Sequence, residues 1–96
     1  MTYQEKHEEL INRFIERKRL SIGEIQRKGK ASFKLASAVY REWKNYHDEL
    51  YWHNAIYEIS FMEEPPTVVR IMSEFNISMY FATKLFNYYM ELVNDR

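Results

Sequence analysis

An all-α fold, built as two successive three-helix units of helix-turn-helix type, is what this 96-residue sequence predicts. Three observations point to it. Ser21 to Tyr40 lies over Thr67 to Phe86 without a gap, at an offset of 46 residues. Ser21 falls on Thr67, Ile22 on Val68, Ile25 on Ile71, Ser32 on Ser78, Ala36 on Ala82, Val39 on Leu85 and Tyr40 on Phe86. Each pair keeps its role, as a duplicated helical unit requires. Apolar residues recur at the three-to-four spacing of a helix face, and Ser, Thr, Gly and Asn stand where helices start and stop.

Residues 3–18 read as an amphipathic helix with Tyr3, His7, Leu10, Ile11, Phe14 and Ile15 on one face. Thr2 followed by Glu5 fits a capping box. A shorter helix covers about 21–28, where Ser21 caps, Glu24 completes a second capping box, and Ile22 and Ile25 face inward. Gly29 is expected in the left-handed conformation that ends it. Ser32 then caps a third helix over 33–45, with Leu35, Ala36, Val39, Tyr40 and Trp43 inside.

Asp48 is expected to cap a fourth helix running to about Glu63, with Trp52, Ala55, Ile56, Ile59 and Met62 along one stripe. The rival for this stretch is a short β-wing near 50–59, turning at His53-Asn54; the helix is preferred because it completes the repeat. Pro65-Pro66 end that element. Thr67 caps a short helix to about Glu74, Asn76 takes the left-handed turn, and Ser78 caps a last helix to about Asn94. That helix is apolar almost all round, with Ala82, Leu85, Phe86, Tyr89 and Val93 on one side and Tyr80, Phe81 and Tyr88 on the other. Burial on more than one face is the expectation.

The domain division expected is 1–46 and 47–96, sharing one compact body, and charge separates the two. Residues 1–46 hold 11 Lys/Arg against 6 Asp/Glu; residues 47–96 hold 3 against 8. The net charge of zero therefore hides a basic half and an acidic half, the first suited to polyanions. Aromatic residues run the other way, 5 in 1–45 and 11 in 46–96. The chain has no cysteine, hence no disulfide framework or thiolate metal site. No apolar run reaches the ~20 residues that span a bilayer, and the start lacks a signal-peptide pattern. A cytoplasmic protein without membrane contact is expected.

The stretch Ile25-Gln26-Arg27-Lys28-Gly29-Lys30-Ala31-Ser32-Phe33-Lys34-Leu35-Ala36-Ser37-Ala38-Val39 is similar to the helix-turn-helix of the gamma domain of FtsK-type DNA translocases. That family runs aliphatic-Gln-Arg-basic-Phe-basic-aliphatic-small-aromatic-Asn-Arg-Ala, followed by a small residue, Arg and an aliphatic. The resemblance extends more loosely to Ile71 through Phe86. Lys34 stands where the family has Asn, and Leu35 and Ala38 where it has Arg. The resemblance thus implies a DNA-binding shape with few base-reading side chains.

Phosphate contacts are expected from Arg17, Lys18, Arg19, Arg27, Lys28, Lys30, Lys34 and Arg41. Gln26, Ser32 and Ser37 would add hydrogen bonds, and Phe33 would stack on an unpaired base. In the acidic half Glu74 takes the place of Lys28, and Tyr51, Tyr57, Tyr80, Phe81 and Tyr88 form the expected protein-binding surface. His47 and His53 with Asp48 and Glu49 have no metal-site spacing, and cap or surface roles are expected instead. There is no phosphate loop, no nucleophile with a base and no isolated carboxylate pair. No catalysis, metal or cofactor is expected.

The bipolar build, small size and Lys/Tyr/Asn-rich composition look like the accessory proteins of bacterial mobile elements. One such type is the small helix-turn-helix protein encoded beside the replication polymerase of staphylococcal cassette chromosomes. The function expected is a DNA-binding accessory for DNA replication, binding single- or double-stranded DNA with low specificity and docking on an enzyme such as a DNA polymerase. The alternative is a transcriptional regulator that self-associates through its acidic unit and reads a palindrome.

Overall fold

Helix starts are set by short polar side chains. Thr2, Ser21, Ser32, Asp48, Thr67 and Ser78 each sit in extended backbone and accept a backbone N–H from the turn that follows. The computed structural model describes residues 1–95. It contains α1 (Tyr3–Phe14), α2 (Ile22–Gly29), α3 (Phe33–Tyr46), α4 (Glu49–Ser60), α5 (Val68–Phe75) and α6 (Met79–Asn94), with no strand among the described residues. The chain divides into two units, Met1–His47 and Asp48–Arg96. Each helix of the second begins 46 residues after a helix of the first: Tyr3 and Glu49, Ile22 and Val68, Phe33 and Met79.

In the first unit α1 packs on both α2 and α3, and α2 packs on α3. Leu10, Ile11, Phe14 and Ile15 of α1 and its C-terminal end meet Ile25, Leu35, Ala36 and Val39 in the core. The small Ala36 lets backbones approach. His7 edges this core with its Nε2 3.4 Å from the buried Glu42. Burial holds the His7 pKa below its ordinary value, against the opposing pull of Glu8. In the second unit α4 and α5 both pack on α6, burying Ala55, Ile59, Ile71, Ile77, Ala82 and Leu85 together with Phe81.

The turn between the second and third helix of each unit is the same. Lys30 and Asn76 both adopt φ 52° in the left-handed region, and each is followed two residues later by the serine cap. Asn tolerates this conformation well, whereas for Lys it costs about 1 kcal/mol. The left-handed residue is thus Lys30, and the expectation for Gly29 is corrected. Gly29 is the last helical residue of α2 and is buried. A Cβ there would lie 2.6 Å from Leu10 Cδ2, so glycine serves close approach of α1 and α2.

Several further expectations shift. The wing near 50–59 does not form. Residues 49–60 are helical, and Trp52 turns toward α6 with its ring 5.4 Å from Phe81 and 5.8 Å from Tyr88. No glycine is present there to make a tight hairpin. α4 ends at Ser60 instead of Glu63. α1 ends at Phe14, not at 18: the Arg17 N–H bonds Phe14 O at 3.1 Å in a tight turn, and α3 holds the orphan carbonyls beyond it, Trp43 Nε1 donating to Arg17 O at 2.7 Å and His47 Nε2 lying 2.7 Å from Ile15 O. Tyr3 and Val93, expected on inner faces, are exposed.

Candidate nucleic-acid interface

The basic residues of the first unit reach the surface from the loop between α1 and α2, from α2, from the turn and from α3. Lys18, Arg19, Arg27, Lys28, Lys30, Lys34 and Arg41 are exposed, while Arg17 is half-buried. They do not act alike. Glu24 holds Arg17 and Lys28, with Lys28 Nζ 2.9 Å from Glu24 Oε2 and Arg17 Nη1 bonded to the same oxygen. Glu24 therefore makes no capping box; its carboxylate turns away from the Ser21 cap toward these two cations. Lys28 also offers its carbonyl to Arg13 Nη1 at 3.0 Å. Lys18, Arg19, Arg27, Lys30, Lys34 and Arg41 have no ion pair among the described residues.

Phe33 opens α3 and is 65% exposed, between the exposed Lys30 and Lys34. Ser32 Oγ accepts the Leu35 N–H at 3.2 Å and so is spent on the cap. Ser37 Oγ is buried with no hydrogen-bond partner among the described residues, which removes it from the expected contact set. Gln26 is half-buried, Leu35 is core and Ala38 is half-buried. Lys34 and Phe33 are thus the prominent side chains at the N-terminal end of α3.

The second unit keeps the framework and inverts its charge. Forty-six residues on, Glu24 becomes Arg70 and Lys28 becomes Glu74. Arg70 Nε lies 3.3 Å from Glu74 Oε1 and Arg70 Nη1 3.4 Å from Glu64 Oε2. The same i,i+4 pair is present with the signs exchanged. Arg27, Lys30, Phe33, Lys34 and Arg41 become Ser73, Asn76, Met79, Tyr80 and Asn87. No cation stands at the turn or at the start of α6.

The expected protein-binding aromatics separate into three groups. Tyr57 and Tyr88 are exposed and Tyr51 and Tyr80 are half-buried. Phe81 is fully buried, against Tyr51 and Trp52 at 5.6 and 5.4 Å between ring centroids. Its place in the expected surface is withdrawn, since α6 turns it into the core. Leu50 and Phe61, both exposed, were missed. They share a helix face with Tyr57 at seven- and four-residue spacing, opposite Ala55 and Ile59, and the periodicity that located the buried stripe would have found them.

The Glu24 cluster yields a pH prediction. Lys28 first and Arg17 second lower the Glu24 pKa by hydrogen bonding to its charged form. A depressed carboxylate pKa stabilises the fold above the ordinary glutamate range, and this is lost as pH falls through the lowered value. Wild type should therefore melt at higher temperature than Glu24→Gln at neutral pH. The gap should close as the pH is lowered through and beneath the ordinary glutamate range; a gap independent of pH would contradict the pairing.

Comparison of the chain with family models, curated proteins and solved structures finds no match in any of the three.

Proposed function

We propose that this chain is a non-catalytic DNA-binding accessory protein, a tandem helix-turn-helix whose basic unit holds nucleic acid with low sequence specificity. Its acidic unit docks on a replication or DNA-processing enzyme of a mobile element. The observation that carries the reading is the set of exposed cations Arg27, Lys30, Lys34 and Arg41 without ion pairs among the described residues, together with the exposed ring of Phe33, which Lys30 and Lys34 flank in the sequence. Ammonium and guanidinium groups without carboxylate partners are available to phosphates, and a solvent-facing ring beside them offers a base a stacking platform.

Lys30 adds a second support. A lysine held at positive φ is conformationally disfavoured, while Asn76 fills the equivalent place without strain. Strain retained at one copy of a repeated turn favours a functional role for that side chain. Low specificity follows from the start of α3, where few groups are able to read base edges.

Fluorescence anisotropy with random-sequence single-stranded and duplex oligonucleotides tests the reading. Engagement of four phosphates by these cations should reduce affinity roughly 50- to 150-fold between 50 and 200 mM salt. Base composition should matter little. A duplex site preferred by about 1000-fold, together with a dimeric free protein, would replace the accessory role with a regulator. Absence of binding at 50 mM salt would end both.

A further inference from the structure

The second unit leaves open a helix face that the first unit closes. Ile11 and Ile15 of the first unit are 0% exposed, whereas Tyr57 and Phe61, 46 residues on, are 63% and 69% exposed. The difference lies in packing: α1 seats on both neighbours, while the main seat of α4 is on α6, through Ala55 and Ile59. Leu50, also exposed, lies on the same side two turns before Tyr57, with the exposed polar His53 and Asn54 in the turn between, so the outward face spans about three helical turns, or roughly 16 Å. The Tyr57 and Phe61 rings stand 4.9 Å apart and form a shelf at its far end.

Charge selects the occupant. Glu49, Glu58 and Glu63 are exposed around the stripe and form no ion pair among the described residues. α4 contains no Lys or Arg. Its C-terminal carbonyl end, next to Glu63, adds further negative potential. A second copy paired through the same α4 face would bring two acidic rims together, and anionic lipid would be repelled.

We infer that the Leu50–Tyr57–Phe61 face of α4 docks a basic amphipathic helix of another protein. Apolar residues of that helix at three-to-four spacing would cover the stripe, and its flanking Lys or Arg would meet Glu49, Glu58 and Glu63. This deepens the docking half of the proposed function by naming the surface and the chemistry of what covers it.

The probe is a labelled 14-residue Leu/Lys peptide with one apolar helical face. Its companions are a scrambled peptide of equal composition and a Leu/Glu peptide with the same apolar face. Titrated with the full chain, the Leu/Lys helix should bind at least tenfold more tightly than either companion. The double variant Tyr57→Ser/Phe61→Ser should lose that tenfold. Glu49→Gln/Glu58→Gln/Glu63→Gln should weaken binding severalfold and reduce its salt dependence.

All five positions are exposed, and circular dichroism of each variant reports retained folding. Equal binding of the scrambled peptide would overturn the inference. So would a wild-type dimer that Tyr57→Ser/Phe61→Ser dissociates, which makes a second copy the occupant, or stripe-dependent binding to neutral phosphatidylcholine vesicles. DNA affinity of the same variants is read in parallel. Peptide binding lost with DNA binding intact places the failure in α4, and the reverse places it in the basic unit.

Discussion

Replacing Phe81 by alanine is expected to cost about 3–5 kcal/mol and to leave the second unit marginally stable. Its ring is 0% exposed and lies between Tyr51 and Trp52 of α4, so truncation leaves a cavity between α4 and α6. A domain of ordinary stability has only about 5–15 kcal/mol in total, and a loss of this size removes much of it. Tyr57→Ala, on the outward face of the same unit, should fall within about 0.5 kcal/mol of wild type. Urea denaturation followed by circular dichroism gives both values. A Phe81→Ala loss under about 1 kcal/mol would contradict burial of the ring.

Replacing Arg27, Lys30 and Lys34 together by alanine is expected to remove most DNA affinity while leaving the fold intact. Three lost phosphate contacts should lower the slope of log affinity against log salt by roughly 2–3. Lys28 is a weaker choice for this test, because Glu24 already holds it. Lys30→Asn separates function from stability within one residue. Asparagine suits φ 52°, as Asn76 does in the second unit, so the variant should gain up to about 1 kcal/mol of stability while binding DNA more weakly. A variant both more stable and equally tight would show that the Lys30 ammonium touches no phosphate.

Much of the architecture was legible because cap chemistry is local. Ser21, Ser32, Thr67 and Ser78 mark helix starts through one hydroxyl and one N–H, and Asn76 marks a left-handed turn by its own tolerance of that backbone. Gly29 misled because glycine serves two purposes, positive φ and close approach, and only the position of Leu10 decides between them. The turn after α1 was hidden for a similar reason, since Trp43 and His47, which hold its carbonyls, lie far along the chain from them.

The candidate interface was legible as charge but not as availability. Counting cations could not show that Glu24 takes Arg17 and Lys28, nor that Ser37 Oγ is buried. On α6, apolar residues on every side left the orientation of Phe81 undetermined until α4 was placed against it. On α4 the reverse held: attention to the buried stripe hid the outward Leu50, Tyr57 and Phe61, which polar His53 and Asn54 interrupt.

The central claim, that one unit captures polyanions and the other does not, is tested most directly by amide shift mapping. The 15N-labelled chain is titrated with a random-sequence oligonucleotide at low salt. The account predicts shifts concentrated on α2, the Lys30 turn and the first turns of α3, with Asp48 onward little changed. Shifts centred on α4, α5 or α6, or spread evenly over both units, would contradict it.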